Sequence, residues 1–367
     1  MVELSQIGDP EADAVVADLF ASGSVGSASA LLQTLVRNTM PPPREAPDSV
    51  RQYLLSERSL PPWAEHDLMT DGQRVFSKYC SQMSLSLYCS VLAEGYLHWR
   101  MAYVLHLTGR METNYFRRIA ETVQFVLDVM APGGLGAGGA GIATILRVRL
   151  MHAAIRHLIT ERAATDSSTW DGSWGVPICQ EDMIATIMGY SVVVLDDLPA
   201  LGIKPSRAEQ EAYFHVWRVI GYLIGCEDEH LPRTVEEGRA FYDGVRARHY
   251  RKTLEGVELE QAAIKTIQDA VPGAMHDLPL QYIRCFIGDD YADMLEVPRP
   301  PGWRRRIFGS YVRLHRRFAW LAAETGFLDA AALINRSMLV GMVEKSRGGE
   351  RPSFAIPESL RAPLELN

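Results

Sequence analysis

A chain of 367 residues with 47% hydrophobic and 22% charged residues has the balance of a folded protein and the length for a substantial core, which excludes a disordered or fibrous chain. The net charge of −8 argues against a protein built to neutralise a phosphate backbone. The five cysteines Cys80, Cys89, Cys179, Cys226 and Cys285 form no CxxC pair and are odd in number, so a disulfide framework is not expected and a reducing compartment is.

Helical periodicity runs through the whole sequence. It predicts helices over 10–21, 27–38, 48–57, 71–108, 113–130, 142–163, 179–194, 207–225, 234–250, 257–270, 277–287, 302–325 and 328–345. Alternation of the kind that marks strands is almost absent. The breakers "MPPPREAP" at 40–47, "SLPPW" at 59–63, "APGGLGAGGAG" at 131–141, "LPALGIKPS" at 198–206 and "VPRPPGW" at 297–303 separate the segments. The N-terminal "MVELSQIGDPEADAVVADLF" shows neither a basic n-region nor an apolar h-region, and the expected location is the cytoplasm. "TDGQ" is expected to open the helix near 71, and Ser206 with Glu209 has capping-box spacing. "GGLGAGGAG" lacks the preceding strand of a dinucleotide fingerprint and reads as a connection into the 142–163 helix. The most apolar internal run, "IMGYSVVVL", is too short to cross a bilayer. The basic runs "WRRR" at 303–306 and "HRR" at 315–317 read as solvated helix faces. The expected architecture is all-α and a single domain over 1–367, with 1–60 as an N-terminal helical extension packed on it.

Chemistry concentrates in "RVRLMHAAIRH", residues 147–157. On a helix Arg149 and His152 lie roughly 60° apart, and Arg156 returns to within roughly 20° of Arg149. The residues between are apolar, so two guanidiniums and an imidazole share a stripe that is set up for burial and needs an anionic partner. Haem would supply an iron for the imidazole and carboxylates for the arginines. A cluster of structural carboxylates would satisfy the arginines equally well, and spacing does not choose between them. In "FRRIAETVQF", residues 116–125, Arg118 and Thr122 share a face with Glu121 beside them. This is either an amphipathic helix with local pairing or a polar group over an apolar pocket, with Glu121 as a proton acceptor.

Two metal patterns compete. "DDYAD" supplies Asp289, Asp290 and Asp293 in the DDxxD spacing of Mg²⁺-dependent isoprenoid enzymes, but "DDLPALGIK" at 196–204 fails as the second motif, with Ala200 and Lys204 at its ligand positions. Glu227 and His230 have the ExxH spacing of di-iron bundles, while Glu94 and His98 are one residue too far apart to complete the set.

"RVRLMHAAIRHL" followed by "WGVPICQEDMIATIMGYS" resembles the core of the latex clearing protein (rubber oxygenase) family, which includes an oxygenase of mycophenolic acid biosynthesis. "GDPEADAVV" and "YIRCFIGDDYADMLEVPRPPG" extend the likeness over roughly residues 5–325. The resemblance implies a helical, globin-like core around haem b and an oxygenase that uses O₂ or peroxide on carbon–carbon double bonds. It implies His152 as the proximal iron ligand, Arg149 and Arg156 as its flanking arginines, Arg118 and Thr122 on the distal side, and Arg284 as a later family arginine. Glu121 stands where the rubber enzymes carry a lysine, and Ala102 where they carry a distal glutamate. Without an export signal a solid extracellular polymer is not the expected substrate; a small or medium-sized apolar molecule is. The other classes left open are a non-catalytic haem carrier of the same fold and the Mg²⁺-dependent isoprenoid synthase.

Overall fold

The computed structural model describes residues 3–24, 37–56, 59–108, 111–270, 272–310 and 312, without the side chains of 111–118, 270 and 274. The helices expected over 27–38 and 328–345, and most of the one over 302–325, fall largely or wholly outside the described residues. In chain order the helices are α1 (Pro10–Ala21), α2 (Asp48–Ser56), α3 (His66–Lys78), α4 (Cys80–Ser86), α5 (Leu92–Leu97), α6 (Trp99–Leu107), α7 (Met111–Met130), α8 (Gly141–Thr165), α9 (Gln180–Met188), α10 (Val194–Asp197), α11 (Arg207–Leu223), α12 (Val235–His249), α13 (Leu254–Ala270), α14 (Asp277–Ile287) and α15 (Asp289–Met294). A further helix, α16, covers 302–310. Among the described residues there is no strand, only an isolated antiparallel bridge between His98 and Tyr250.

Local signals set several boundaries. Asp9 caps α1 by accepting from the Ala12 N–H, with Pro10 at the first helical position. The capping box expected at Ser206 and Glu209 forms in full at the start of α11. The glycine-rich stretch is a tight connection with helices on both sides. Asn38 braces it, donating to the carbonyls of Gly134 (2.9 Å) and Gly136 (2.6 Å) and accepting from the Ala143 N–H (3.1 Å).

The long helix predicted over 71–108 does not exist as one piece. It begins earlier, at His66, which leaves "TDGQ" inside α3 rather than at its start. It then breaks at Tyr79, passes through a π-helical turn over Leu87–Val91, and breaks again at the extended residue His98. The helix expected over 179–194 likewise contains a π turn, Gly189–Val193. The two π turns pack on each other, and a Cβ on Gly189 would stand only 3.2 Å from Val91 Cγ1. Such turns widen a helix and re-aim its side chains. The run Gln180–Leu201 is long and apolar enough to cross a membrane, yet it is mostly buried as core.

α3 and α11 pack face to face around Gly72, where an added Cβ would lie 2.3 Å from the Ala212 carbonyl oxygen. The larger core cluster joins α1, α3, α8, α9 and α11, and a second joins α5, α13, α14 and α15. α8 is buried over most of its circumference. It presents one wall to α1, another to α7 and a third to the cavity described next.

Candidate functional site

A cavity of about 320 Å³ lies between α6, α7, α8, α9 and the two π turns. Its lining is chiefly apolar, with Val104, Phe125, Val148, Ile155 and Met183 among the wall residues. His152 of α8 reaches it from one side, and Glu121 and Thr122 of α7 reach it from another. Thus three of the residues singled out in the sequence, from helices thirty residues apart, line one space. Arg118 lies on α7, but its side chain is outside the described residues.

The His152 ring is poised as a neutral base. Burial, then the positive charge of Arg156, drives its pKa down to about 4, with Asp9 opposing weakly. Its Nδ1 is buried and has no hydrogen-bond partner. A buried polar atom left unpaired is costly, and the ring that carries it lines the cavity. A neutral imidazole offering a lone pair is the form that binds a metal.

The flanking arginines are held from the side of α1. Each has a carboxylate partner on α1 or its cap, and neither lines the cavity. Arg149 donates from Nε to Asp9 Oδ2 at 2.6 Å, and from Nη2 to Asp9 Oδ1 and Glu11 Oε2, each at 2.8 Å. Arg156 donates from Nε to Asp13 (2.8 Å) and from Nη1 to the Ile178 carbonyl (2.7 Å). Only Nη2 of Arg156 stays buried and unpartnered. Gly225, at φ +100°, lets the chain pass against this cluster, where a Cβ would stand 2.2 Å from Asp9 Oδ2.

Arg284 lines no part of the cavity. It binds Asp289 (2.6 Å), Asp293 (2.7 Å) and the carbonyls of Val297 and Pro298. Asp293 takes Arg299 as well. Two carboxylates of the DDxxD pattern therefore serve as guanidinium partners that fix the turn after α15, which removes the physical basis for reading them as a Mg²⁺ site. The exposed α-helix-end group Glu227, Glu229 and His230 clusters within 4.8 Å, but it stands outside the cavity.

The far end of the cavity was not foreseen as a site. There Glu94, His98, Asp182, Tyr242 and Tyr250 join the lining. Glu94 takes two bonds from Arg246 (3.0 and 2.8 Å) and one from the Tyr250 hydroxyl (2.7 Å), which stands 3.0 Å from Tyr242 Oη. His98 accepts from the Met101 N–H through Nδ1 (3.3 Å) and stacks on His249 at 4.4 Å. Asp182 is clasped by Arg100, which also reaches Glu181, and Glu181 in turn accepts from Arg248 and His249. Those cations hold the Glu181 carboxyl well below the usual carboxylate range against the cost of its burial. The sequence signal was "EGYLH", but Glu94 and His98 serve an ion-pair wall rather than a metal. Ala102, where the resemblance places a glutamate, is fully buried and outside the lining.

Comparison with known proteins agrees with this geometry. The profile of the family described as ER-bound oxygenase mpaB/B′/rubber oxygenase, catalytic domain, matches residues 77–323. A rubber oxygenase of Streptomyces sp. (strain K30) is 27% identical over 308 residues, 83% of this chain and 74% of that one. A solved structure of latex clearing protein in the closed state superposes with a TM-score of 0.78, covering 94% of this chain and 91% of that one at 24% identity. At that identity the last likeness speaks for the fold alone.

Proposed function

This chain belongs to the mpaB/B′/rubber oxygenase family and is an oxygenase; from that premise we propose that its cavity holds haem b through His152 and admits an apolar, alkene-bearing molecule of small or medium size. The observation that carries the reading is the neutral His152 imidazole on the wall of an apolar cavity. Bound haem would supply the redox-active iron with which O₂ or peroxide oxidises a carbon–carbon double bond.

The protein's own residues divide the remaining work. His152 offers a lone pair that burial and the Arg156 charge keep free of a proton. Arg149 and Arg156, anchored on Asp9 and Asp13, fix the face that α8 turns to the cavity. Arg156 Nη2 is buried without a partner behind that face. Glu121 and Thr122 furnish polar atoms on a wall otherwise suited to excluding water, where Glu121 would hold or pass a proton and Thr122 would orient oxygen by a hydrogen bond. The apolar lining selects substrate by shape and hydrophobicity.

Titration of haem into the purified protein tests the proposal. Saturation at one equivalent with a Soret band, followed by O₂ or peroxide consumption that depends on an apolar alkene, supports it. Haem binding without any such turnover would leave a carrier in its place.

A further inference from the structure

Helix α16 combines two features found together nowhere else among the described residues. Trp303 and Ile307, one turn apart, are 60% and 61% exposed. Arg306 lies beside them and Arg305 further round the helix, and both are exposed with no carboxylate partner among the described residues. The opposite side of the helix is committed to the protein. Phe308 is buried edge-on against Tyr282 at 4.9 Å, and Arg304 pairs with Asp277 at 2.5 Å. The helix is therefore fastened inward and leaves an arc of roughly 100° holding Arg306, Trp303 and Ile307 facing water.

The sequence around it sharpens the contrast. Between Glu296 and Glu324 there are seven arginines, Arg299, Arg304, Arg305, Arg306, Arg313, Arg316 and Arg317, and no carboxylate, in a chain of net charge −8. Arg299 and Arg304 are neutralised by Asp293 and Asp277, which leaves Arg305 and Arg306 as free cations among the described residues. Exposing a tryptophan and an isoleucine side by side costs solvation unless something apolar receives them. A partner must therefore be anionic at its surface and apolar just beneath. Nucleic acid satisfies only the first condition.

We infer that α16 is an interfacial anchor that docks the protein peripherally on an anionic lipid surface. Trp303 and Ile307 enter the headgroup–acyl boundary while Arg306 meets lipid phosphates. On the function proposed above, this brings the cavity to the phase in which apolar substrates dissolve. The anchor itself needs neither haem nor turnover, so its test stands apart from that reading.

The test is flotation of the full-length protein with vesicles of phosphatidylcholine, alone or mixed with phosphatidylglycerol. Wild-type protein floats with the mixed vesicles, less so as salt rises, and not with the neutral ones. Arg306→Gln lowers the association constant about five-fold at low salt, and Trp303→Ala with Ile307→Ala lowers it at least ten-fold. Both variants retain the wild-type circular dichroism and melting curve, since all three side chains are exposed. Wild-type protein that fails to float, or variants that float as well as wild type, overturn the inference. So does tight, salt-sensitive binding of duplex DNA that the Trp303/Ile307 variant retains, which makes the face a phosphate reader. A dimer that the Trp303/Ile307 variant dissociates also overturns it, because a second copy is then the occupant.

Discussion

Arg149 and Asp9, 140 residues apart, meet in a two-pronged ion pair in which both side chains are at most 5% exposed. The pair joins the cap of α1 to the middle of α8, one helical turn from His152. It is the strongest tie between the N-terminal segment and the helix that carries the candidate iron ligand.

Asp9→Ala removes that tie and deprives buried Arg149 of its two-pronged carboxylate partner. It also removes the cap of α1. Breaking a buried pair from one side costs about 3 kcal/mol or more, which denaturant unfolding of the variant should show as a clear drop in midpoint. A midpoint equal to wild type would mean the pair is not formed in solution.

Glu260 gives a pH dependence of definite sign. It is fully buried, its Oε1 has no hydrogen-bond partner, and burial pushes its pKa up to about 8 from the ordinary 4.5. A raised acid holds its proton better when folded, so its contribution is fully present below about pH 4.5 and is lost as pH rises toward 8. Glu260→Gln should abolish that loss, gaining on the order of 3 kcal/mol on wild type between pH 5 and pH 8. Parallel stability-versus-pH curves for the two proteins would refute it.

Arg284→Ala severs the contacts to Asp289, Asp293 and the two carbonyls. A loss of about 2 kcal/mol follows from giving up charge-assisted bonds of which half lie near solvent. Because Arg284 stands away from the cavity, the absorption spectrum of bound haem should not move. A shifted spectrum would return Arg284 to the site.

Much of this was legible in the sequence and some was not, for physical reasons. Helix content and the Ser206–Glu209 box follow from local spacing, whereas the gathering of His152, Glu121 and Thr122 at one site followed from the family resemblance. The partners of Arg149 and Arg156 follow from neither, because Asp9 and Asp13 are 140 and 143 residues away and carry no mark that separates them from other acidic residues. The breaks at Tyr79 and His98 hide inside a continuous apolar pattern. His98 is pulled out of the helix by a bridge to Tyr250, a contact across the fold that periodicity cannot register. The DDxxD spacing does not reveal that Asp289 and Asp293 turn back to Arg284 on the preceding helix.

Glu121→Gln keeps the shape of the cavity wall while removing a proton acceptor. On the proposed function it should bind haem as tightly as wild type and slow alkene oxidation by about a hundred-fold. Unchanged turnover would take Glu121 out of the chemistry and leave it a wall residue.

The central claim is that His152 holds the haem, and the absorption spectrum after expression with ample haem precursor tests it most directly. The account predicts a Soret band at one haem per chain in wild-type protein, and its loss or gross displacement in His152→Ala with helix content retained. A colourless wild-type protein, or a variant whose spectrum matches it, would contradict the account.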